Sequence, residues 1–204
     1  MENKKLRIAI IGAGNICYTA HLPSYALMKD RVEIAVLCDI VRENAEWNKR
    51  EYALDSEICE DYKEVLARDD IDAVDICTPN YMHSVIAVDA LKAGKHVFCE
   101  KPDAISIEEV LKMQKAAEES GRVLMVMRNN RFLASSQYLK EYIREGKTGE
   151  LYAGRCGWIR RRGIPGKGGW FTTKAQSGGG PLIDLGVHMI DLAIWLMGNP
   201  RPIA

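Results

Sequence analysis

The chain has 204 residues, of which 47% are hydrophobic and 27% are charged, a composition typical of globular proteins. Its 28 basic and 28 acidic side chains cancel, so the overall charge gives no indication of a nucleic acid or an anionic membrane as partner. The sequence contains no apolar run close to the roughly 18 residues that cross a bilayer, and we therefore expect no membrane contact. The length allows one large domain, or one domain and part of another.

The six cysteines lie far apart and form no C-x-x-C pair, which argues against a metal cluster or a disulfide framework. We therefore predict no metal site and a reducing, cytoplasmic location. The cysteines are Cys17, Cys38, Cys59, Cys77, Cys99 and Cys156. The first residues, MENKKLRIAIIGAG, have a basic lead, but the apolar part is short and runs into glycines, which favours a strand over a signal peptide.

Short apolar, β-branched runs alternate with helical patterns through the first 130 residues. Continuous apolar runs of this kind are typical of parallel strands that are covered on both faces. The predicted strands are Arg7–Ile11, Glu33–Cys38, Ile58–Cys59, Ala73–Cys77, Lys95–Cys99 and Val123–Met127. One intervening helix opens with Ser106 and Glu109 at capping-box spacing and stops at Gly121. The pattern predicts an α/β fold, with a Rossmann-type doubly wound parallel sheet over residues 1–129.

A glycine turn follows the first predicted strand, and an acidic residue, Asp39, ends the second. In a dinucleotide site, Gly12 permits the tight turn, Gly14 lets the backbone approach the pyrophosphate, and the acid binds the adenosine ribose. Cys17 occupies the position of the usual third glycine, which predicts a slightly displaced helix. The alternative is an ordinary strand–helix turn with a solvated aspartate. Asp39 repels a 2′-phosphate, so NAD is favoured over NADP despite the nearby Arg42.

The region from residue 130 to 204 has a different pattern. The segment SSQYLKEYIREGK predicts a helix, Leu151–Ile159 a strand, and Pro181–Met197 a second helix after a long glycine-rich loop. One strand and two helices are too few to close a separate core. We therefore interpret this region as the incomplete start of a second domain, and expect it to expose apolar surface that promotes self-association, or to belong to a longer protein.

Three polar residues, Asp184, His188 and Asp191, share one face of the second predicted helix, which is otherwise apolar on nearly every side. Such a helix is predicted to be buried, and buried polar groups need partners. The stripe therefore indicates a polar cavity, a ligand or a hydrogen-bonded network. Gly186 in mid-helix indicates a close approach by another group. The alternative is a core histidine held by an aspartate.

Four segments together, GAGNI, CTPNYMH, AGKHVFCEKP and GGGPLIDLGVHMIDL, resemble the glucose–fructose oxidoreductase/inositol dehydrogenase (Gfo/Idh/MocA) family along essentially the whole chain. The resemblance implies a Rossmann domain followed by an α/β domain with a large open sheet, whose outer face often forms an oligomer contact. It also implies that Lys101 points toward the nicotinamide and the substrate hydroxyl, with Asp184 and His188 facing it from the second domain. The cofactor-binding residues it implies are Gly12, Gly14, Asn15, Ile16, Asp39, Thr78, Pro79, Asn80, His83, Glu100 and Lys101.

The resemblance implies an enzyme that transfers a hydride between NAD and a secondary alcohol or ketone of a sugar or polyol. His188 would accept the hydroxyl proton, Lys101 would stabilise the developing alkoxide, and Asp184 would orient or share the proton. Trp158, Arg160 and Trp170 flank the glycine-rich loop and are candidate sugar contacts; a solvated basic turn with core tryptophans is as good an explanation. Two further hypotheses are glycosidic cleavage through a transient ketone and a nicotinamide-sensing regulator without turnover.

Overall fold

A computed structural model of the protein describes residues 4–163, 168–201 and 203. The chain forms two compact units, one over Met1–Val126 and one over Met127–Ala204. The predicted domain boundary falls between residues 129 and 130.

The first unit is built on six strands, β1 to β6, and every neighbouring pair is parallel. Their order in the sheet is β3-β2-β1-β4-β5-β6. The chain adds β2 and β3 on one side of β1 and then β4 to β6 on its other side, so the strand order switches between β1 and β4. The strands are β1 Leu6–Ile11, β2 Val32–Cys38, β3 Glu57–Cys59, β4 Ala73–Ile76, β5 His96–Cys99 and β6 Leu124–Val126. The predicted doubly wound α/β fold is confirmed.

Five helices connect these strands. They are α1 Leu22–Ala26, preceded by a π-helical turn over Cys17–His21, then α2 Arg42–Glu51, α3 Tyr62–Leu66, α4 Asn80–Lys92 and α5 Ile107–Ser120. The predicted cap of α5 is confirmed: the Ser106 hydroxyl accepts a hydrogen bond from the Glu109 backbone N–H at 3.3 Å, and Gly121 ends the helix with φ of 63°.

The sheet is buried on both faces, as the continuous apolar runs predict. Side chains alternate along β1: Ala9 and Ile11 belong to one hydrophobic cluster, with Val36 and Ile76, whereas Ile10 belongs to a second cluster. Because neither face is open to water, polar side chains of the sheet are confined largely to strand ends, where the chain emerges into loops.

The second unit contains three helices and no β-strand among its described residues. The helices are α6 Ala134–Arg144, α7 Lys174–Ser177 and α8 Val187–Leu196, with 3-10 turns at Asn129–Phe132 and Trp170–Thr172 and a π-helical turn at Leu182–Gly186. The predicted strand over Leu151–Ile159 is therefore wrong. A strand requires a hydrogen-bonding neighbour, and none is present in the described part of this unit.

The exposure of apolar surface expected for this region is confirmed at the helix after Pro181, whereas the burial expected from its apolar composition is not seen among its described residues. The described residues of Leu182–Leu196 include no fully buried side chain, and Leu182 is 72% exposed. The segment Lys174–Leu196 has the length and apolar composition of a membrane span, which is weak support for one. Three glycines, Gly178–Gly180, interrupt it, and α8 alone has 10 residues, or about 15 Å of helix against a hydrocarbon core of about 30 Å.

Candidate functional site

The glycine turn after β1 lies against the end of the neighbouring strand β4. Gly12 has φ of +98°, and a Cβ atom added to it would lie 2.7 Å from the carbonyl carbon of Cys77 and 2.8 Å from the backbone nitrogen of Thr78. Real Cβ atoms do not approach backbone atoms so closely, and L-residues rarely adopt this φ. The position therefore requires glycine for two separate reasons, and the tight turn predicted there is present.

Gly14 is open where Gly12 is crowded. A Cβ atom on Gly14 would meet no heavy atom of the described chain within 4 Å, and the next residues, Asn15 and Ile16, are exposed. Free space above a glycine backbone, at the point where a strand passes into a helix, suits the approach of a pyrophosphate group. The residues present thus fit the phosphate end of a dinucleotide.

Asp39 lies directly beyond β2, next to the glycine turn. Its Oδ2 accepts a hydrogen bond of 2.7 Å from the Ala13 N–H, and its Oδ1 accepts one of 2.8 Å from the Val41 N–H. The carboxylate is only partly buried. It is therefore held in a defined orientation at the loop edge, where a ribose hydroxyl would meet it.

Cys17, at the position of the third glycine, is completely buried and begins the π-helical turn. Burial, together with the negative charges of Asp75 and Asp39, raises the pKa of its thiol to about 12, so it packs as a neutral group. The buried Asn48 amide donates to the Ala13 carbonyl at 2.9 Å and supports the turn from α2. Sequence reasoning missed Asn48, since a lone asparagine within a helix gives no signal.

The end of β4 supplies the second part of the candidate site. The Thr78 hydroxyl oxygen is buried and has no hydrogen-bond partner among the described residues, while Asn80 is buried at the start of α4, just after Pro79. A buried hydroxyl without a partner is costly in free energy and indicates a ligand group or a water molecule. His83 is buried, which lowers the pKa of its ring, and its nitrogens contact the carbonyl oxygens of Pro102 at 2.7 Å and Thr78 at 2.9 Å. It ties the β4 loop to the β5 loop; its predicted contact with the cofactor stays a prediction.

The end of β5 carries the Glu100–Lys101 pair. Glu100 is 7% exposed, and its Oε2 accepts a hydrogen bond of 3.0 Å from the Lys101 backbone N–H. Lys101 is partly buried. Because β1, β2, β4 and β5 are parallel, their carboxyl ends meet at one edge of the sheet, and Lys101 lies at the same edge as Gly12 and Asp39.

A buried histidine, His21, lies beneath this edge. Its Nδ1 is 2.7 Å from Oδ2 of Asp75 and its Nε2 is 2.9 Å from Oε1 of Glu100, while the Tyr25 hydroxyl donates to the same Asp75 oxygen at 2.9 Å. Burial alone would lower the pKa of His21, but the hydrogen bonds that the ring donates to both carboxylates outweigh it and raise the pKa to about 9. In turn, burial would raise the pKa of Glu100, but the hydrogen bond from His21 holds it below its usual value.

Sequence reasoning missed His21 and Asp75. The available signal was Asp75 itself, a charged residue inside the apolar run AVDI of a strand buried on both faces. Such a residue requires a partner, but the sequence alone does not show which one. The side chains of His21, Asp75 and Cys77 each offer one atom that could bind a metal ion, and these three atoms lie within 4.8 Å of one another. Both ring nitrogens of His21 are already used by carboxylates, and the prediction of no metal stays a prediction.

In the second unit, three predicted residues are adjacent. The ring centroid of Trp158 lies 5.9 Å from that of His188, and the Arg160 guanidinium lies 4.8 Å from the Trp158 ring centre. An indole face beside an arginine and a histidine is suited to a sugar, whose C–H faces pack on aromatic rings and whose hydroxyls accept hydrogen bonds. Trp170 stacks on Phe171 with centroids 3.7 Å apart.

The polar stripe divides into two parts. Asp184 lies in the π-helical turn Leu182–Gly186, a type of local distortion that is frequent at functional sites, and His188 follows in α8. Asp191 instead pairs with Arg131 (2.7 Å to Nε) and with Arg128 (3.2 Å to Nε), so it holds α8 to the 3-10 turn. The close approach expected at Gly186 comes from Leu182, whose Cδ1 would lie 2.8 Å from an added Cβ.

Residues 6–128 match the family model described as "Oxidoreductase family, NAD-binding Rossmann fold", of the Gfo/Idh/MocA group. Residues 136–204 match the model of a C-terminal domain of the same group. The chain belongs to the Gfo/Idh/MocA family. The resemblance carried by the four sequence segments is thereby confirmed.

Two curated relatives and one solved structure illustrate the similarity. D-glucoside 3-dehydrogenase of Escherichia coli is 37% identical over 98% of this chain and 56% of its own length. 2,7-anhydro-N-acetylneuraminate hydratase, also of Escherichia coli, is 36% identical over 63% of this chain and 34% of its own. The structure of levoglucosan dehydrogenase in complex with NADH and levoglucosan has a TM-score of 0.82 and 30% identity, covering 96% of this chain and 55% of that one. The chain thus spans about half the length of such relatives.

The two glycines form a matched pair for mutagenesis. Gly12→Ala places a methyl group against the Cys77 backbone at a disfavoured φ, and should lower the free energy of unfolding by about 2–5 kcal/mol. Gly14→Ala meets open space and should leave stability unchanged, yet weaken NADH binding by about 10–100-fold, the equivalent of one lost charge-assisted hydrogen bond. Urea unfolding and NADH fluorescence titration measure the two effects. Equal stability loss in both variants would contradict the assignment.

The His21 cluster predicts a pH dependence of stability. Because the folded pKa of about 9 lies above the ordinary value of 6.5, protonation of His21 stabilises the fold fully below pH 6.5, and this contribution is lost as pH rises through 9. The shift corresponds to about 3 kcal/mol. The ring contacts Asp75 and Glu100, and the Cys77 thiol lies within 4.8 Å of both His21 and Asp75. Tyr25 donates to Asp75, the charge of Asp75 acts on Cys17, and the charge of Lys101 acts on Glu100.

Thermal unfolding between pH 6 and pH 10 checks this. Burial raises the pKa values of the Tyr25 hydroxyl and the Cys77 thiol above their ordinary values of 10.0 and 9.0, so these groups lower stability only above about pH 9, where their ionisation favours the unfolded state. A His21→Gln variant should lose the decline between about pH 6.5 and pH 9. If the decline in stability with pH is unchanged in this variant, a group other than His21 causes it.

Proposed function

We propose that the protein is an NAD-dependent oxidoreductase that transfers a hydride between the nicotinamide and a CH–OH group of a sugar or polyol. The observation that carries the proposal is the arrangement at one sheet edge of the open Gly14 backbone, the oriented Asp39 carboxylate and Lys101, within an NAD-binding family. The curated relative named as a glucoside dehydrogenase supports a sugar as substrate.

Bound NAD would supply the hydride acceptor, and the chain's own side chains must handle the proton and the charge. When a secondary alcohol loses hydride, its oxygen must also lose a proton, and negative charge develops on it during the transfer. Lys101 is proposed to stabilise that charge, because an ammonium group in a partly buried position interacts strongly with an alkoxide. Its backbone is fixed by Glu100, which limits the movement of the side chain.

We assign the proton to the second unit. His188 is proposed as the proton acceptor, and Asp184, one helical turn before it, as the group that orients or shares the proton. Trp158 lies beside His188, and Arg160 contacts Trp158. Both are proposed to bind the sugar, and Trp170 is a further candidate. These roles follow the family resemblance and the local contacts of each residue.

NAD is proposed as the preferred cofactor over NADP. The Asp39 carboxylate, held beside the glycine turn, is proposed to face the adenosine ribose, where it would repel a 2′-phosphate. Arg42, the nearest basic residue in sequence, is paired with Glu46 at 2.8 Å and with Glu60 at 3.1 Å. An arginine engaged by two carboxylates is less suited to a phosphate than one held toward the loop.

A second function is favoured by one comparison. The relative named as a hydratase carries out, by its name, a reaction without net oxidation. Glycosidic cleavage through a transient ketone belongs to the same class and requires the same residues. A regulator without turnover is a weaker candidate, since Lys101, Asp184 and His188 are all present in the chain.

A cytoplasmic location and a homo-oligomeric state complete the proposal. The described cysteines are all free, which suits a reducing compartment. The family resemblance supports association through the second unit, where Ile159 and Leu182 are strongly exposed. Size-exclusion chromatography with light scattering measures the oligomeric state directly.

The central experiment is a substrate panel. The purified protein is mixed with NAD⁺ and a series of sugars, glycosides and polyols, and reduction is followed at the nicotinamide absorbance. Accumulation of NADH with one class supports the dehydrogenase. Product formation with NAD required but not consumed supports the second function, and NADH binding without any product supports the regulator.

Two catalytic variants test the residue assignments. Lys101→Ala and His188→Ala should each lower kcat by roughly 10²–10⁴, the range for charge-stabilising and acid–base groups. NADH affinity should persist better in His188→Ala, because Lys101 adjoins the proposed dinucleotide site. Tyr138→Leu, which alters an aromatic contact with Tyr142 outside the proposed catalytic and sugar-binding residues, serves as a control for folding of the second unit. Near-normal turnover in either alanine variant would refute that residue's role.

Asp39→Ala tests the cofactor preference. Removing the carboxylate deletes a ribose hydrogen bond and a repulsive charge, so NAD should bind about tenfold more weakly and the difference between NAD and NADP should narrow. Asp39→Asn retains acceptor capacity and should weaken NAD binding less. Isothermal titration with both dinucleotides measures this. A native preference for NADP would show that Asp39 does not have this role.

A further inference from the structure

The proposed catalytic lysine follows a glutamate whose two carboxylate oxygens have different partners. Oε1 of Glu100 contacts Nε2 of His21 at 2.9 Å, and Oε2 accepts the Lys101 backbone N–H at 3.0 Å. We propose that His21 is a positioning residue for Lys101: its ring fixes the Glu100 carboxylate, and that carboxylate fixes the lysine backbone. The proposal rests on the function proposed for Lys101.

The bridge connects three separate elements of the first unit. His21 ends the π-helical turn after the glycine loop, Asp75 lies inside β4, and Glu100 follows β5. The ring is 3% exposed, so water does not compete for these contacts. A shift of the π-helical turn relative to the strands would break one of the two contacts. The bridge therefore fixes the position of the glycine loop relative to the strand end that carries Lys101.

The Lys101 backbone is held from its other side as well. The carbonyl oxygen of Pro102, the next residue, lies 2.7 Å from Nδ1 of the buried His83. The main chain on either side of Lys101 is thus tied to a buried histidine, one acting through the Glu100 side chain and one directly. Such double anchoring is what a catalytic group requires, since a displacement of about 1 Å can cost about 10²-fold in rate.

Charge explains why the bridging residue is a histidine. Both ring nitrogens face carboxylate oxygens, which accept hydrogen bonds and do not donate them, so both nitrogens must carry hydrogen and the ring is an imidazolium. Its positive charge offsets the cost of burying Asp75 and Glu100. The raised pKa agrees with this geometry. A metal ion would require a ring nitrogen without hydrogen, so the contacts favour a charge bridge over a metal held by His21, Asp75 and Cys77.

Two variants and one control test the proposal. His21→Gln removes the charge and one of the two contacts. Glu100→Gln keeps the shape but offers one acceptor oxygen where two are used, so it must lose either the His21 or the Lys101 contact. His96→Gln is the matched control: His96 is a partly buried histidine on the same sheet whose Nδ1 accepts a hydrogen bond from the Val123 N–H.

The first readout does not depend on activity. Hydrogen exchange measured by NMR should show the Lys101 amide accelerated in His21→Gln and Glu100→Gln at least tenfold more than the Ile10 amide of β1, which reports the loss of global stability. The native His21 ring should show both nitrogens protonated at pH 7. The melting temperature of His21→Gln should fall by on the order of 10 °C, because a buried charge pair is broken. His96→Gln should change none of these by a comparable amount.

The second readout uses the reaction. In both variants kcat should fall by about 10²-fold. In His21→Gln, whose side chain is not among the proposed cofactor contacts, KM for the sugar and the NADH dissociation constant should change by less than about threefold. If the native protein turns over no substrate, the proposed function fails, whereas the exchange result still decides the positioning. Unchanged Lys101 exchange in both variants overturns the inference. So does a neutral His21 ring, or a rise in native melting temperature with Zn²⁺ alone that is absent in His21→Gln.

Discussion

A parallel sheet buried on both faces sets the constraint on which the first unit depends. Such a sheet excludes water from its strands, so each polar group inside it must find a partner within the protein. Asp75 breaks the apolar pattern in the middle of the sheet, and it is satisfied by His21 and Tyr25 from the helical segment after the glycine loop. The same histidine also contacts Glu100. The side chain that compensates the buried charge of Asp75 therefore also organises the end of β5 beside Lys101.

The edge of the sheet illustrates how separate requirements meet at one place. Gly12 must be glycine because β4 approaches its backbone, and this crowding brings the ends of β1 and β4 together. Gly14, two residues later, is open, and Asp39 is turned toward the loop by two backbone N–H groups. A backbone that binds a phosphate group needs both the close packing found at Gly12 and the open space found at Gly14.

The second unit is organised differently. Its described side chains include only two that are fully buried, Ser136 and Ser177, and its helices are held by polar contacts as much as by packing. Asp191 binds Arg128 and Arg131, and the Lys140 ammonium donates to the Trp195 carbonyl at the end of α8. Trp158, Arg160 and His188 nevertheless come together there, because aromatic and cationic side chains pair without a large core.

The sequence by itself determined the order of strands and helices in the first unit, the glycine turn, the acid after β2 and the family. Most of these are local features: an apolar run and a capping box depend on neighbours in sequence. The sequence also led to a strand at Leu151–Ile159, which was wrong because strand pairing depends on elements distant in sequence, and the burial of the helix after Pro181 depends on such elements too. Only the tertiary structure decided that Asp191 is a structural ion-pair residue, that His83 ties two loops together, and that His21 bridges Asp75 and Glu100. The two contacts of His21 join residues that are 54 and 79 positions apart in the sequence, and no local pattern specifies which buried charge meets which partner.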